Sequence, residues 1–141
     1  MKRLKLIALI VLAVIATPLA LLTLCVARLK FEEWRFYQAR PILHAMWDAH
    51  LGLAGDDGRD STAAREVLLR RFSSGSIRTT AVAALTAEGF YCQNTQLHPG
   101  AIDCQLQAPA DVGYTLWIVD FYANNDGELS DAHVVIGGIS F

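Results

Sequence analysis

The chain has 141 residues and a formal net charge of −2, and this length favours a single folded domain. The charge is unevenly distributed, because residues 1–40 carry seven Lys or Arg and two Glu, whereas residues 41–141 carry five Arg and twelve Asp or Glu. Nucleic-acid binding depends on cations that neutralise phosphates, so the acidic C-terminal part argues against a nucleic-acid partner. A basic protein would be a more compatible partner for this acidic part of the chain.

The N-terminal segment is strongly apolar. Residues 6–27 carry no charge and are flanked by basic residues, which are Lys2, Arg3 and Lys5 before and Arg28 and Lys30 after. A helix of this length crosses a bilayer, so residues 1–30 are expected to form a retained transmembrane anchor. A cleaved signal peptide is the alternative. A lipoprotein signal is disfavoured because Leu24, just before Cys25, is too large for that position.

Residues 31–58 are predicted to be a juxtamembrane helical segment. Four aromatic residues set among charges, between Phe31 and Tyr37, are typical of a membrane interface. Pro41 can then open a helix that runs from Ile42 to Leu51, and residues 52–58 read as a loop.

A domain over residues 59–141 is predicted to begin with two short helices, over residues 62–72 and 78–88. Each follows a residue suited to an N-cap, namely Asp60 or Ser61 for the first and Ser76 for the second. The two helices are expected to pair as a helical hairpin.

From residue 90 onward the apolar period changes from 3.6 to 2, which is typical of strands. Four strands are predicted, over residues 90–93, 102–107, 114–123 and 132–136. The expected fold class is α+β: an N-terminal transmembrane helix, then short helices packed on one face of a four-stranded antiparallel meander.

The cysteines predict a disulfide. If the first two strands pair symmetrically about His98, Cys92 lies opposite Cys104 and within bonding distance. Disulfides persist in oxidising compartments. We therefore expect a single-pass inner-membrane protein whose C-terminal domain lies in the periplasm.

Catalytic and metal-binding patterns are sparse. The histidines at positions 44, 50, 98 and 133 lack metal-ligand spacing, and no cofactor motif occurs. A small periplasmic hydrolase could use His44 with Asp48, or His133 with Asp131, but no nucleophile motif accompanies either pair. The sequence therefore predicts a protein that is not an enzyme and has no cofactor or metal.

The strand over residues 114–123 is apolar on both faces. If helices cover one face of the sheet, the other face must present either Leu116 and Ile118 or a larger row that includes Trp117. Such a patch with a polar rim marks a binding surface, unless the helix over residues 43–51 or the segment 139–141 covers it. The predicted residues for binding a protein partner are Trp117, Val119, Phe121, Gln105 and Gln107.

Two short patterns carry a resemblance. They are Thr62, Glu66 and Val67 at a helix start, and Leu85, Gly89, Phe90 and Cys92 at a helix–strand junction. Over about residues 60–137 the chain resembles small envelope domains of the SmpA/OmlA and β-lactamase-inhibitor-protein type. That resemblance implies protein binding by the sheet, without a cofactor or catalysis.

The expected function is a membrane-anchored periplasmic protein-binding module, either an envelope accessory factor or an immunity-type inhibitor. Two alternatives stay open at this point. One is the hydrolase, and the other is a structural subunit of an envelope complex that is held by its single span.

Overall fold

Four helices precede four strands in a computed structural model that describes residues 2–51, 60–73, 75–94, 100–110 and 113–139. The helices are α1 (Lys2–Gln38), α2 (Pro41–Leu51), α3 (Thr62–Arg71) and α4 (Arg78–Ala87). The strands are β1 (Tyr91–Asn94), β2 (Ile102–Pro109), β3 (Tyr114–Ala123) and β4 (Leu129–Ile139). The predicted α+β fold class is confirmed. The predicted loop 52–58, the pivot at His98 and residues 140 and 141 lie outside the described residues.

The strands form one antiparallel sheet in the order β1-β2-β3-β4, which is the predicted meander. Strand β3 has the predicted bounds, but β4 is longer than the predicted 132–136. Glycines weaken the sequence signal at positions 137 and 138, yet the ladder with β3 continues through them, as far as Tyr114 opposite Ile139. Pairing with the long strand β3 therefore extends β4 through two glycines whose own strand propensity is low.

The predicted disulfide joins β1 to β2. Cys92 and Cys104 are direct partners in the ladder, with their Cα atoms 4.0 Å apart, and their sulfurs are bonded. Cys104 is completely buried, so the bond fastens the short edge strand to the core side of the sheet.

Helix α1 is unbroken over 37 residues, or about 55 Å. Its stretch from Ala13 onward is long and apolar enough to cross a membrane. The described side chains from position 13 to position 30 are all exposed, so no described part of the domain covers them. The helix thus presents to its surroundings an apolar surface of the kind that lipid would accept.

The end of α1 belongs to the core of the domain. The Tyr37 ring is 1% exposed and stacks on Trp47 of α2, with centroids 4.5 Å apart. The Trp117 indole N–H of β3 donates a hydrogen bond to the Tyr37 hydroxyl at 3.2 Å. Residues between Phe36 and Trp47 therefore share one core with the sheet.

A second contact fixes the junction between α1 and α2. The Glu88 carboxylate, just after α4, accepts hydrogen bonds from the backbone N–H groups of Ile42 at 2.7 Å and Leu43 at 2.9 Å. These N–H groups lie in the first turn of α2, where no intrahelical acceptor exists, and a negative charge there is favourable. Arg40 donates to the Glu88 carbonyl at 2.8 Å and lies over the Phe36 ring. We call this group of contacts the Glu88 clamp.

One predicted N-cap is confirmed and the other is wrong. The Ser61 hydroxyl accepts from the Ala64 N–H at the start of α3. Helix α4 has Ile77 at its N-cap and no side-chain cap. Ser76 is engaged elsewhere, because its carbonyl accepts from the Leu129 N–H at the start of β4.

The predicted helical hairpin is also wrong. Helix α3 packs on α2 and β4, whereas α4 packs on β1, β2 and β3. The short link between them pairs with the start of β4 through Ile77 and Glu128, which directs the two helices to different parts of the sheet.

Replacing Glu88 by Ala should lower the free energy of unfolding by about 1–3 kcal/mol, because two N–H groups of α2 lose their acceptors. Urea unfolding of the full chain in detergent, followed by tryptophan fluorescence, measures this. Glu66→Ala is the matched control, since Glu66 is exposed and pairs with exposed Arg70, and it should cost less than about 0.5 kcal/mol. Equal costs for the two variants would contradict the clamp.

Replacing Cys92 and Cys104 together by Ala should lower the free energy of unfolding by about 3 kcal/mol, because the bond closes a short loop in the unfolded chain. In urea without reductant, an alkylating reagent should label Cys25 alone, which is the free cysteine of the described residues. After reduction it should label all three cysteines of the chain. Labelling of three cysteines without reductant would rule out the bond, and Cys25→Ala is the control for stability.

Candidate functional site

The two faces of β3 lie in different environments. Trp117, Val119 and Phe121 are all 0% exposed and belong to the core cluster beneath the helices. The prediction that these three residues form a partner-binding surface is therefore wrong. A strand apolar on both faces buries its larger side chains, because they remove the most apolar area from water.

The opposite row of β3 carries Leu116 and Ile118, and it lies on the face away from the helices. In the ladder, Gln107 is opposite Leu116, and Gln105 and Val135 flank Ile118. The predicted residues Gln105 and Gln107 therefore lie on the other side of the sheet from Trp117. We call this side the outer face, formed by Tyr91, Asp103, Gln105, Gln107, Leu116, Ile118, Asp120, Tyr122, Asp131, His133 and Val135.

No described helix packs on the centre of the outer face. The core cluster and the residues packed against it contain the inner row of each strand and none of Leu116, Ile118 and Val135. These three side chains are only partly buried. They form an apolar centre with Gln105 and Gln107 at its rim, which is the composition of a protein-binding surface.

A groove of about 390 Å³ opens beside this apolar centre, lined by Gly89, Tyr91, Gln105, Leu106, Gln107 and Leu116. Gly89 has a φ of +95°, which turns the chain from α4 into β1. Strand β1 therefore begins at Tyr91, opposite Gln105, and β2 continues past it along the groove. Tyr91 is 68% exposed at the groove's edge and offers an aromatic ring to a partner.

The other end of the outer face is acidic. Asp103 and Asp120 are direct partners in the ladder between β2 and β3. Asp120 is only 3% exposed, and its carboxylate lies 3.9 Å from the His133 Nδ1 atom. The Gln105 amide donates to Asp103 at 3.2 Å. The two carboxylates therefore lie side by side at this end of the sheet, with His133 next to Asp120.

Tyr122 lies at the same end of the sheet, near the carboxylates of Asp120 and Asp131. Burial raises the pKa of the Tyr122 phenol, and the carboxylates of Asp120 and Asp131 raise it further. Both effects disfavour the phenolate, the second because it would add a negative charge beside two others.

The two histidines of the predicted hydrolase pairs lie in different parts of the described structure. His133 Nε2 lies 3.1 Å from an Asp60 oxygen, while Asp131 accepts from the Arg65 guanidinium at 2.6 Å, so the predicted His133–Asp131 pair is not formed. His44 lies 3.5 Å from Asp48 on helix α2. The sheet separates α2 from the outer face, so the two histidines do not converge on one pocket as acid–base catalysis requires.

A second cavity of about 310 Å³ lies at the end of α2, between Trp47, His50 and the last residues of β4. Among the described residues that line it, His50 lies near Thr115 and none is an Asp or Glu. Among the residues that the structure describes, no group of three His, Cys, Asp or Glu is placed to hold a metal ion.

Comparisons with protein-family models, with characterised proteins and with solved structures find no match for this chain. Its function must therefore be inferred from its own residues. The resemblance to small envelope domains stays a prediction, since these comparisons do not test it.

Sequence reasoning selects the wrong row of β3, although a signal for the right one exists. Asp120 lies two residues from Ile118 and so on the same face of the strand. Carboxylates are seldom placed in an apolar core. The position of Asp120 therefore indicates that Leu116 and Ile118 face away from the helices.

Neighbouring substitutions in β3 test which face is buried. Trp117→Ala should lower the free energy of unfolding by about 3–5 kcal/mol, because it leaves a cavity in the core and an unpaired Tyr37 hydroxyl. Ile118→Thr should cost less than about 1 kcal/mol, because threonine keeps the β-branched shape on an open face. Urea unfolding of both variants of the full chain measures these losses of stability. A larger loss for Ile118→Thr than for Trp117→Ala would mean that the row of Ile118 is the buried one.

Proposed function

We propose that this protein is a membrane-anchored module that binds another protein through the outer face of its sheet. The observation that carries the proposal is the apolar centre of Leu116, Ile118 and Val135, on which no described helix packs. A partner would bury it, and the hydrophobic effect favours that burial. The exposed Tyr91 ring and the neighbouring groove offer an anchoring point beside it.

The orientation of the domain also supports this role. The Glu88 clamp and the Tyr37–Trp117 hydrogen bond fasten α1 to the helical side of the sheet. Helix α1 therefore reaches the domain from the layer opposite the outer face, and none of the described helices lies over the proposed surface.

We also propose that the domain lies in the periplasm, on a single span of the inner membrane. Two features support this placement. Helix α1 is long and apolar enough to span a bilayer, and the Cys92–Cys104 disulfide would persist in an oxidising compartment. In that setting the module would serve as an envelope accessory factor or as an immunity-type inhibitor, in line with the resemblance to small envelope domains.

Photo-cross-linking in intact cells tests the binding surface. A benzophenone amino acid placed at Tyr91 should cross-link to a discrete partner, because this position is exposed at the edge of the groove. The same amino acid at Ala83, on the exposed side of α4, is the matched control and should give no such product.

The variant Ile118→Arg, introduced into the chain labelled at Tyr91, should abolish the product, because a cation in the apolar centre cannot be buried without a counter-charge. Protein level and resistance to protease should be unchanged, since Ile118 is outside the core cluster. A product that survives this substitution, or one that forms equally from Ala83, would reject the outer face as the binding surface.

A further inference from the structure

Strand β2 runs past the beginning of β1. The ladder between them ends at Tyr91, which lies opposite Gln105, whereas β2 continues to Pro109. On the side of β2 away from β3, no described strand pairs with positions 106–109. We call these four residues the β2 ledge. The groove of about 390 Å³ lies along the ledge, since Leu106 and Gln107 are among the residues that line it.

The disulfide pair shows where the backbone groups of the ledge point. Facing residues of an antiparallel ladder alternate between pairs that exchange hydrogen bonds and pairs that do not, and in the second kind the Cα atoms lie about 4.5 Å apart. The Cα atoms of Cys92 and Cys104 are 4.0 Å apart, so this pair is of the second kind. The N–H and C=O groups of Cys104 therefore point to β3, and those of Gln105 point to β1. By the same alternation, the backbone groups of Gln107 point away from β3, towards the open side of the ledge.

A contact at the other edge of the sheet gives the same result. The Val134 carbonyl accepts from the Ser61 N–H, so the backbone groups of Val134 point away from β3. Those of the next residue, Val135, therefore point to β3, where Ile118 is their partner. Alternating from Ile118 across the ladder between β3 and β2 again directs the backbone groups of Gln107 away from β3.

We infer that the partner adds a short extended segment to the β2 ledge and pairs its backbone with the N–H and C=O groups of Gln107. This inference rests on the proposed function and specifies how the partner is held. Gln107 is exposed, and among the described residues no hydrogen bond outside the ladders uses its backbone groups. A strand edge with backbone groups of this kind is a template for a further strand.

The groove would receive one side chain of the added segment. The residue that pairs with Gln107 points its side chain to the outer face, as Gln107 itself does. This side chain would lie beside Tyr91 and close to Leu116, which both line the groove. Gly89 puts no side chain into this space, and a Cβ built on it would lie 4.0 Å from Leu106, which packs on the core. An apolar side chain fits between the Tyr91 ring and Leu116.

The ledge accepts a short segment of another protein more readily than a second copy of this chain. If β2 of a second copy paired antiparallel with the ledge at Gln107, its Pro109 would fall opposite Gln105. Tyr91 already occupies that place. An added strand must therefore end or turn away where β1 begins. A chain terminus or the tip of a loop meets this condition.

Two substitutions at one position test the pairing, in the chain that carries the benzophenone amino acid at Tyr91. Gln107→Pro removes the outward N–H and leaves the bonds to β3, as the natural Pro109 does two residues further along β2. It should lower the yield of cross-linked product by about fivefold or more, as expected for the loss of one hydrogen bond. Gln107→Ala keeps the N–H and shortens only the side chain, so it is the matched control and should change the yield by less than about twofold.

Hydrogen exchange gives a second measurement that needs no substitution in the ledge. In the cross-linked product, purified in detergent, the Gln107 amide should exchange at least about tenfold more slowly than in the uncross-linked chain, because a hydrogen bond to the partner protects it. The Asn94 amide of β1 is the control. It also points to the open side of the sheet, because Asn94 lies two residues from Cys92 in the same ladder. Its exchange should not change.

Equal yields from Gln107→Pro and Gln107→Ala, or a Gln107 amide that stays unprotected, would overturn the added strand. If Ile118→Arg still abolished the product in that case, the outer face would remain the binding surface and only this inference would fail. Protection of Asn94 instead of Gln107 would place the added strand on β1 and would also overturn it. Absence of any product from Tyr91, or a product that contains two copies of this chain, would reject the proposed function and the inference together.

Discussion

The burial of Trp117 is the constraint on which the rest of the structure depends. Successive side chains of a strand point to opposite faces, so placing this indole inside commits Leu116 and Ile118 to the outside. A buried indole N–H needs an acceptor, and the Tyr37 hydroxyl supplies it. The same residue thus draws the end of α1 into the core and determines which row of β3 faces away from the helices.

The polar contacts at the junction between α1 and α2 also join residues that are far apart in the sequence. Glu88 directly follows α4. Its carboxylate accepts a hydrogen bond from the Ile42 N–H of α2, which lies 46 residues earlier in the chain. Both α1 and α2 are therefore held to elements that cover the sheet, by contacts at separate points. The helical layer depends on α1 and α2, because Tyr37, Leu43 and Met46 are core residues.

Local patterns account for most of the elements but not for the site. The period-2 runs locate the strands, and symmetry about the first turn gives the Cys92–Cys104 register. The candidate site depends on which face of β3 the helices cover, and hydrophobicity alone cannot decide this because both rows are apolar. The deciding contact is long-range, namely the hydrogen bond between Trp117 and Tyr37. The one local signal is Asp120, which lies on the same face of the strand as Ile118. The packing of α3 on α2 rather than on α4 likewise depends on tertiary contacts, which local sequence patterns do not reveal.

The unbroken helix α1 limits how far the sheet can lie from a bilayer that the helix crosses. Only nine residues, or about 14 Å of helix, separate Arg28 from the buried Tyr37. No flexible linker intervenes among these residues, so once α1 is in a bilayer the sheet is held within a shallow layer at its surface. If the proposed partner is attached to the same bilayer, it would search for the sheet in two dimensions. Its effective concentration is then raised by confinement alone, and a modest intrinsic affinity suffices for a stable complex.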